Sequence, residues 1–207
     1  MMTAVAEPRI AGHPAARYPW YVRLILWLQR RKYGRALEPA LLWGRIPRAF
    51  LMLTLLYRSL DRKSSPLEPA LRSLVQVRIS QINWCAFCVD LNSAAALERH
   101  AAAGQLSALS QYENSFVFSE RERAALAYAE AVTDPARRVD DAMFVRLRQH
   151  FSEQEIIELT ALIAFQNMSS KFNSALAVPS SGFCALPTDA PQHPDGAAGA
   201  PKARGPL

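Results

Sequence analysis

Three segments of the chain carry the signature of a helix beginning. Ser65, Ser119 and Ser152 are each followed three residues later by a glutamate. In such a capping box the serine hydroxyl accepts a hydrogen bond from a backbone N–H of the first turn, and the glutamate accepts one from the serine N–H. Helix-favouring Ala, Leu, Glu and Arg follow. The pattern predicts helices that begin directly after these serines.

Apolar residues at helical spacing extend this prediction over much of the chain. We expect helices over residues 18–28, 49–60, 120–132, 141–150 and 153–176. The segment 74–82 (LVQVRISQI) alternates like a strand, but the capping box before it and the alanine-rich segment after it favour a helix. The chain contains no Asn-Gly dipeptide to signal a tight hairpin. The predicted class is all-α.

The 207 residues suit one domain with a sizeable core and a tail. We expect a helical domain over residues 17–186 and a flexible N-terminus over residues 1–16. Residues 187–207 include 13 Pro, Ala or Gly and hardly any large apolar residue. Such a segment buries too little surface to offset its ordering entropy, so we expect it to be disordered.

The charge of the chain is unevenly distributed. Residues 1–72 carry 13 Lys or Arg against 4 Asp or Glu, a net +9, whereas residues 73–207 carry a net −3. A basic half can contact nucleic acid or an acidic membrane, but no nucleic-acid-binding motif accompanies it. We interpret it as a solvated helix face or a contact with the acidic half of a neighbouring subunit, and predict neither a nucleic-acid nor a membrane partner.

The same sequence predicts a soluble, cytoplasmic protein. The first 16 residues lack the continuous apolar core of a signal peptide. The most apolar run, residues 49–57, is too short to span a bilayer. Three cysteines do not form a secreted disulfide framework.

Two of these cysteines, Cys85 and Cys88, are three residues apart in the stretch WCAFCVDLN. In the first turn of a helix they lie on one face at a spacing compatible with a disulfide. Free N–H groups and the helix dipole there stabilise a thiolate, which attacks peroxides and disulfides. The second thiol then resolves the sulfenic acid or mixed disulfide. The spacing fits reversible dithiol chemistry.

Two alternatives remain open for the pair. Zinc needs about four sulfur or nitrogen ligands, and neither Cys184 nor the four isolated histidines add a ligand-spaced set. The pair can also be two buried thiols without chemistry. We predict no metal and no resident cofactor.

The segment from Val75 to Asn92, VQVRISQINWCAFCVDLN, resembles the core of the carboxymuconolactone decarboxylase and alkylhydroperoxidase D superfamily, as do residues 118–133 and 150–167. The resemblance implies an all-helical bundle assembled as a homo-oligomer (a trimer, dimer or hexamer). It implies that an organic hydroperoxide or a disulfide is reduced at the expense of a dithiol reductant protein. By the same resemblance, Cys88 is the peroxidatic cysteine and Cys85 the resolving one.

The chain departs from the family pattern at two positions. The family's relay glutamate, twelve residues before the first cysteine, is Ser73 here, and its relay histidine, four residues after the second, is Asn92. Neither side chain titrates near neutral pH. Because general-base assistance contributes about 10²–10⁴-fold, we expect weak or absent relay-type peroxidase activity unless another group substitutes.

Lys171 is the candidate substitute. It lies in the polar run from Gln166 to Ser174 within a predicted apolar helix, and a positive charge beside the pair would favour the thiolate. The alternative for this run is a buried hydrogen-bond network or a subunit contact without chemistry.

The functional prediction is a thiol-dependent oxidoreductase of the peroxidase or antioxidant type. A non-enzymatic redox sensor or helical scaffold is the competing hypothesis, because the relay residues are missing. Cofactor-free decarboxylase chemistry is disfavoured, because that branch of the superfamily does not use a C-x-x-C nucleophile.

Overall fold

The computed structural model describes residues 7–186, which form nine α-helices and no strand. In chain order the helices are α1 (Trp20–Tyr33), α2 (Glu38–Trp43), α3 (Pro47–Leu60), α4 (Pro69–Ile82), α5 (Ala86–Glu98), α6 (Ala103–Ala108), α7 (Glu120–Thr133), α8 (Asp141–Arg148) and α9 (Glu153–Ala175). Short 3₁₀ turns cover Ala15–Arg17 and Leu109–Asn114. The all-α prediction is confirmed.

Helix α4 is the centre of the bundle and packs against α5, α7 and α9. Every residue from Leu71 to Val77 is buried, on all sides of the helix. A helix enclosed in this way loses the one-sided pattern of a surface helix. This explains why its sequence resembles a strand although it forms a helix, as the flanking segments indicated.

Two of the three capping boxes form as predicted. Ser119 caps α7 and Ser152 caps α9, each with its glutamate bonded back to the serine N–H. The box at Ser65 is wrong, since α4 begins four residues later, at Pro69. The proline ring disfavours a helical residue before it, and Glu68 is accordingly extended at ψ 136°. The Ser65 hydroxyl instead donates to Glu158 over 2.9 Å.

Two clusters of buried apolar residues form the core. The larger joins α4, α7 and α9 around Leu74, Ile79 and Leu159. The smaller gathers α1, α2 and the start of α5, and it contains both cysteines of the C-x-x-C pair. The pair is thus built into the interior at the junction of α4 and α5.

The two segments expected to be loose lie partly or wholly outside the described residues. Residues 187–207 do so entirely, as do residues 1–6. Within residues 7–16, the Arg9 N–H donates to the Leu176 carbonyl over 2.9 Å, and the His13 N–H donates to the Tyr18 hydroxyl over 2.6 Å. No helix in the described part of the chain is both long and apolar enough to cross a bilayer.

Candidate functional site

The turn between α4 and α5 places the cysteine pair. Helix α4 ends at Ile82, and Trp84 adopts a left-handed backbone with φ 55°. The Cys85 N–H then donates back to the Ser80 carbonyl over 3.0 Å. Cys85 becomes the N-cap of α5, so both cysteines stand where that helix begins, as predicted.

The two cysteines contact each other through a helix cap. The Cys85 sulfur accepts a hydrogen bond from the Cys88 N–H over 3.2 Å, in the role that a serine hydroxyl plays in the capping boxes. Both are free thiols and both are buried, at 1% and 4% exposure. The reduced pair is therefore in contact and shielded from solvent.

The electrostatics of Cys88 differ from the prediction. Burial, together with the hydrogen bond and charge of Cys85, raises the pKa of the Cys88 thiol well above its usual range. Hydrogen bonds from Asn173 and Gln166 act in the opposite direction and are outweighed. The expectation that the start of the helix lowers this pKa is therefore wrong, because burial outweighs the hydrogen bonds that favour the thiolate.

Neutral amides and one hydroxyl surround the pair. The Asn173 amide nitrogen lies 3.2 Å from the Cys88 sulfur. The Gln166 amide donates to the Ser80 hydroxyl over 2.9 Å, and Asn92 donates to the same hydroxyl over 3.3 Å. Ser80 in turn donates to the Gln76 carbonyl over 2.6 Å. These groups donate hydrogen bonds to sulfur or oxygen, but none titrates as a base near neutral pH.

The two substituted relay positions, Asn92 and Ser73, have separate hydrogen-bond partners. Asn92 is half-buried and contacts Ser80, one helical turn from Cys88. Ser73 is fully buried, and its hydroxyl accepts a bond from Arg99 over 3.2 Å. Arg99 also forms an ion pair with Asp61 at 2.5 Å. The carboxylate nearest to the Ser73 hydroxyl in this network is therefore neutralised by a guanidinium.

Lys171 does not join the pair. Its side chain is exposed, whereas both cysteines are buried. The residues of its polar run that do face inward are Gln166, Ser170 and Asn173, all at most 3% exposed. The polar run does reach the pair, but through Asn173 and not through Lys171. Helical spacing was the missed signal, since these three positions continue the buried stripe of Ile156, Leu159 and Ile163.

Asp90 has a role that its position in the sequence does not reveal. Its carboxylate is buried and accepts the N–H groups of Ser181 and Cys184, over 2.8 and 2.7 Å. Trp84 and Phe87, which flank the cysteines, lie in different environments. Phe87 is buried with the pair, and Trp84 is 46% exposed. Within residues 7–186, no three His, Cys, Asp or Glu side chains are grouped to hold a metal ion.

Comparison with known proteins gives the family. The sequence profile of the carboxymuconolactone decarboxylase family matches residues 47–131, which include the whole of α3, α4 and α5. The uncharacterised protein YnjA of Escherichia coli is 45% identical over 174 residues, which cover 84% of this chain and 96% of YnjA. The chain belongs to the carboxymuconolactone decarboxylase family.

Several solved structures share the fold. The alkylhydroperoxidase AhpD core, an uncharacterised peroxidase-related protein of Ralstonia eutropha, superposes with a TM-score of 0.77 at 22% identity, covering 87% of this chain and 96% of that one. A putative antioxidant defence protein AhpD of Agrobacterium tumefaciens gives 0.61 at 32% identity, covering 65% and 92%. The debrominase Bmp8 gives 0.73 at 21% identity, covering 88% and 95%. The AhpD-like fold is thereby confirmed.

Proposed function

We propose that this protein is a thiol-dependent oxidoreductase of the peroxidase or antioxidant type, in which Cys88 attacks and Cys85 resolves. The observation that carries the proposal is the contact between Asn173 and Cys88, in which an amide N–H donor lies 3.2 Å from a buried free sulfur. A donor at that place stabilises the negative charge of a thiolate. The peroxidase-related and antioxidant relatives support the same chemistry.

In the proposed cycle, the two cysteines alternate between a dithiol and a disulfide. The Cys88 thiolate attacks the distal oxygen of a hydroperoxide, the O–O bond breaks, and the alcohol leaves after taking a proton. Cys88 is now a sulfenic acid. The Cys85 thiol attacks its sulfur, water leaves, and the Cys85–Cys88 disulfide forms. A dithiol donor protein reduces this disulfide and returns two thiols. A disulfide substrate enters the same cycle through a mixed disulfide in place of the sulfenic acid.

The chain's own residues contribute binding and hydrogen bonding more than proton transfer. Asn173 donates a hydrogen bond to the Cys88 sulfur, and the Cys85 sulfur is already in contact with the Cys88 backbone. With neutral Ser73 and Asn92 at the relay positions, the proton of the Cys88 thiol leaves to solvent or substrate. Turnover is expected to be slow at neutral pH for this reason.

Peroxide turnover tests the proposal. The wild type is incubated with tert-butyl hydroperoxide and dihydrolipoamide, and peroxide consumption is followed beside the redox state of each cysteine. We expect consumption that disappears in Cys88→Ser and persists in Cys184→Ser, the matched removal of the third thiol. In Cys85→Ser, Cys88 should accumulate as a sulfenic acid or a mixed disulfide.

A redox sensor is the second candidate, favoured by the burial of both thiols and the neutral surroundings of Cys88. The same experiment separates the two. One disulfide formed per chain without further peroxide loss identifies a sensor. Thiols that stay reduced throughout exclude both candidates.

We further propose that the protein is a homo-oligomer. Helices α1 and α3, which pack on each other, expose large apolar side chains: Trp20 is 75% exposed, Met52 57% and Leu55 52%. Neighbouring exposed apolar residues on two packed helices are typical of a subunit interface. Light scattering coupled to size-exclusion chromatography measures the mass, and a monomer at micromolar concentration would contradict this proposal.

A further inference from the structure

The last described segment of the chain, residues 178–186, runs without helix or strand back to the cysteine pair. We call it the C-terminal strap. Val178 belongs to the buried cluster that contains Cys85, Phe87 and Cys88, and Phe183 packs against that cluster. The strap therefore packs against the apolar cluster that encloses the two thiols.

Asp90 binds the strap from helix α5. It lies two residues after Cys88 on α5, is 4% exposed, and accepts two strap N–H groups over 2.8 and 2.7 Å. In the described part of the chain no Lys or Arg forms an ion pair with it. A buried carboxylate is costly unless its partners remain in place, so these charge-assisted bonds favour the closed strap.

Arg35 binds the strap from the solvent-exposed side. This exposed residue, between α1 and α2, donates to the Ser181 carbonyl, and its guanidinium lies 4.9 Å from the centre of the Phe183 ring. Tyr33 contacts the same ring at 5.5 Å. The strap is thus fixed at Ser181 from two sides and at Phe183 by an aromatic contact.

Helices form another part of this cluster. Residues of α1, α2 and α3 contribute Val22, Leu42 and Phe50 to the cluster. Helices open at a higher free energy than a segment held by a few hydrogen bonds, so the strap is the part that moves most readily. Its opening would also hydrate Cys88 and remove the main cause of its raised pKa, which is burial.

We propose that the C-terminal strap is a gate over the Cys85–Cys88 pair, latched by Asp90 and Arg35, and that its opening determines how large a hydroperoxide or disulfide reaches Cys88. The inference rests on the proposed function for the identity of Cys88 as the reacting thiol. It assigns to Asp90 a positioning role that controls access and leaves bond breaking to the cysteines.

Labelling of Cys88 by two reagents of different size tests the gate. N-Ethylmaleimide is small and N-(1-pyrenyl)maleimide is bulky; both are uncharged and form thioethers, which the Cys85 thiol cannot displace. Each rate is followed at Cys88 by tandem mass spectrometry, which separates its label from one on Cys85 in the same peptide and from one on Cys184. In Asp90→Asn we expect the bulky reagent to react about tenfold faster or more, the factor for losing one charge-assisted hydrogen bond. The rate of the bulky reagent divided by the rate of the small reagent should also be higher in this variant than in the wild type.

Two further variants test whether the change in rate is specific to the strap. Asp140→Asn makes the same change in an exposed carboxylate that accepts the Met143 N–H on α8, and it should leave both rates unchanged. Arg35→Ala removes the outer latch at an exposed position, where folding is safe, and should raise the bulky rate in the same direction. Circular dichroism confirms that each variant is folded.

Bulky-reagent rates in Asp90→Asn and Arg35→Ala equal to those of the wild type would overturn the gate, and an equal rise for both reagents would overturn the selection by size. Labelling needs no turnover, so its result is separate from that of the peroxide assay. Gated labelling without peroxide consumption would overturn the proposed function and leave the gate standing.

Discussion

The side-chain amide of Asn173, near the end of α9, donates a hydrogen bond to the sulfur of Cys88, at the start of α5, over 3.2 Å. This bond lowers the pKa of Cys88 against the larger effect of burial. The Asn173 amide oxygen has no partner among the described residues, so the nitrogen carries the polar contacts of this side chain. The amide thus favours the thiolate without accepting its proton.

Asn173→Ala should therefore raise the pKa of Cys88 further. The direction follows because the variant loses a hydrogen bond that favours the thiolate, and a hydrogen bond to a charged group contributes about 1.5–3 kcal/mol. The measurement is the pH dependence of Cys88 alkylation by iodoacetamide. Asn167→Ala is the matched control, because Asn167 lies on the same helix and donates to Thr133 and not to a cysteine. An unchanged pKa in Asn173→Ala would show that the contact has no electrostatic effect.

The raised pKa of Cys88 also makes stability depend on pH. Above the ordinary thiol pKa of about 8.5, the unfolded chain loses the Cys88 proton while the folded chain keeps it. The free energy of unfolding then falls as pH rises, by up to about 1.4 kcal/mol per pH unit, until the folded-state pKa is reached. Below the unfolded-state pKa the contribution is fully present.

This dependence is measured as a difference between two proteins. The free energy of unfolding from urea titrations is compared for the wild type and Cys88→Ala from pH 7 to pH 10. We expect a constant difference up to about pH 8 and a decline of the wild type relative to the variant above it. Because other groups titrate in both proteins, their contributions cancel. Parallel curves throughout would contradict a raised pKa in the folded state.

Asn92→His should restore part of the missing relay. Position 92 is one helical turn from Cys88 and half-buried, so a neutral imidazole there can accept the thiol proton. We expect peroxide-driven disulfide formation at pH 7 to accelerate about tenfold. This is below the ~10²–10⁴ of a fully positioned base, since Ser73 offers no carboxylate partner. Stopped-flow measurement of single-turnover disulfide formation gives the rate.

Asn92→Gln is the control for this substitution. It keeps an amide and changes only its length, so it should not accelerate the reaction. Equal rates for Asn92→His and Asn92→Gln would show that proton removal from Cys88 does not limit disulfide formation.

The helices could be predicted from the sequence because local rules specify them. Ser119 and Ser152 cap their helices as predicted, and the predicted bounds of α3 and α7 differ from the observed ones by at most two residues. Ser65 failed because Pro69 imposes an extended residue before it, a local effect that was present in the sequence.

The surroundings of Cys88 depend on tertiary structure and were harder to predict. The buried stripe of α9 points to Gln166 and Asn173, and this periodicity was available in the sequence. The contact of Asp90 with the strap could not be predicted from the sequence, because its partners are backbone N–H groups more than 90 residues away in the chain. Backbone donors carry no sequence signal. The raised pKa likewise follows from burial by elements that are distant along the chain, which no local pattern shows.

The cap of α9 gives a stability prediction that is independent of the cysteines. Ser152 caps the helix, with the Ser152 and Glu155 side chains each bonded to the other's backbone N–H. Ser152→Ala should lower the free energy of unfolding by about 1 kcal/mol, and Ser152→Asn should largely retain it. Urea titration measures both. Ser107→Ala, an exposed serine within α6, is the control and should change little. A loss as large in Ser107→Ala would refute the capping account.

At position 84, substitution by glycine should give a more stable protein than substitution by alanine, which is the reverse of their usual order. Its backbone is left-handed, with φ 55°, and its side chain is 46% exposed. Glycine adopts this conformation without strain, whereas any residue with a Cβ loses about 1 kcal/mol or more there. Trp84→Gly should therefore be more stable than Trp84→Ala by about 1 kcal/mol, as measured by urea titration.

The same pair of substitutions at Met168 provides the comparison. Met168 is 43% exposed and lies in the interior of α9, where glycine costs about 1 kcal/mol more than alanine. The order should thus be glycine above alanine at position 84 and alanine above glycine at position 168. If alanine were the more stable at both positions, the turn that presents Cys85 to α5 would not require a left-handed residue.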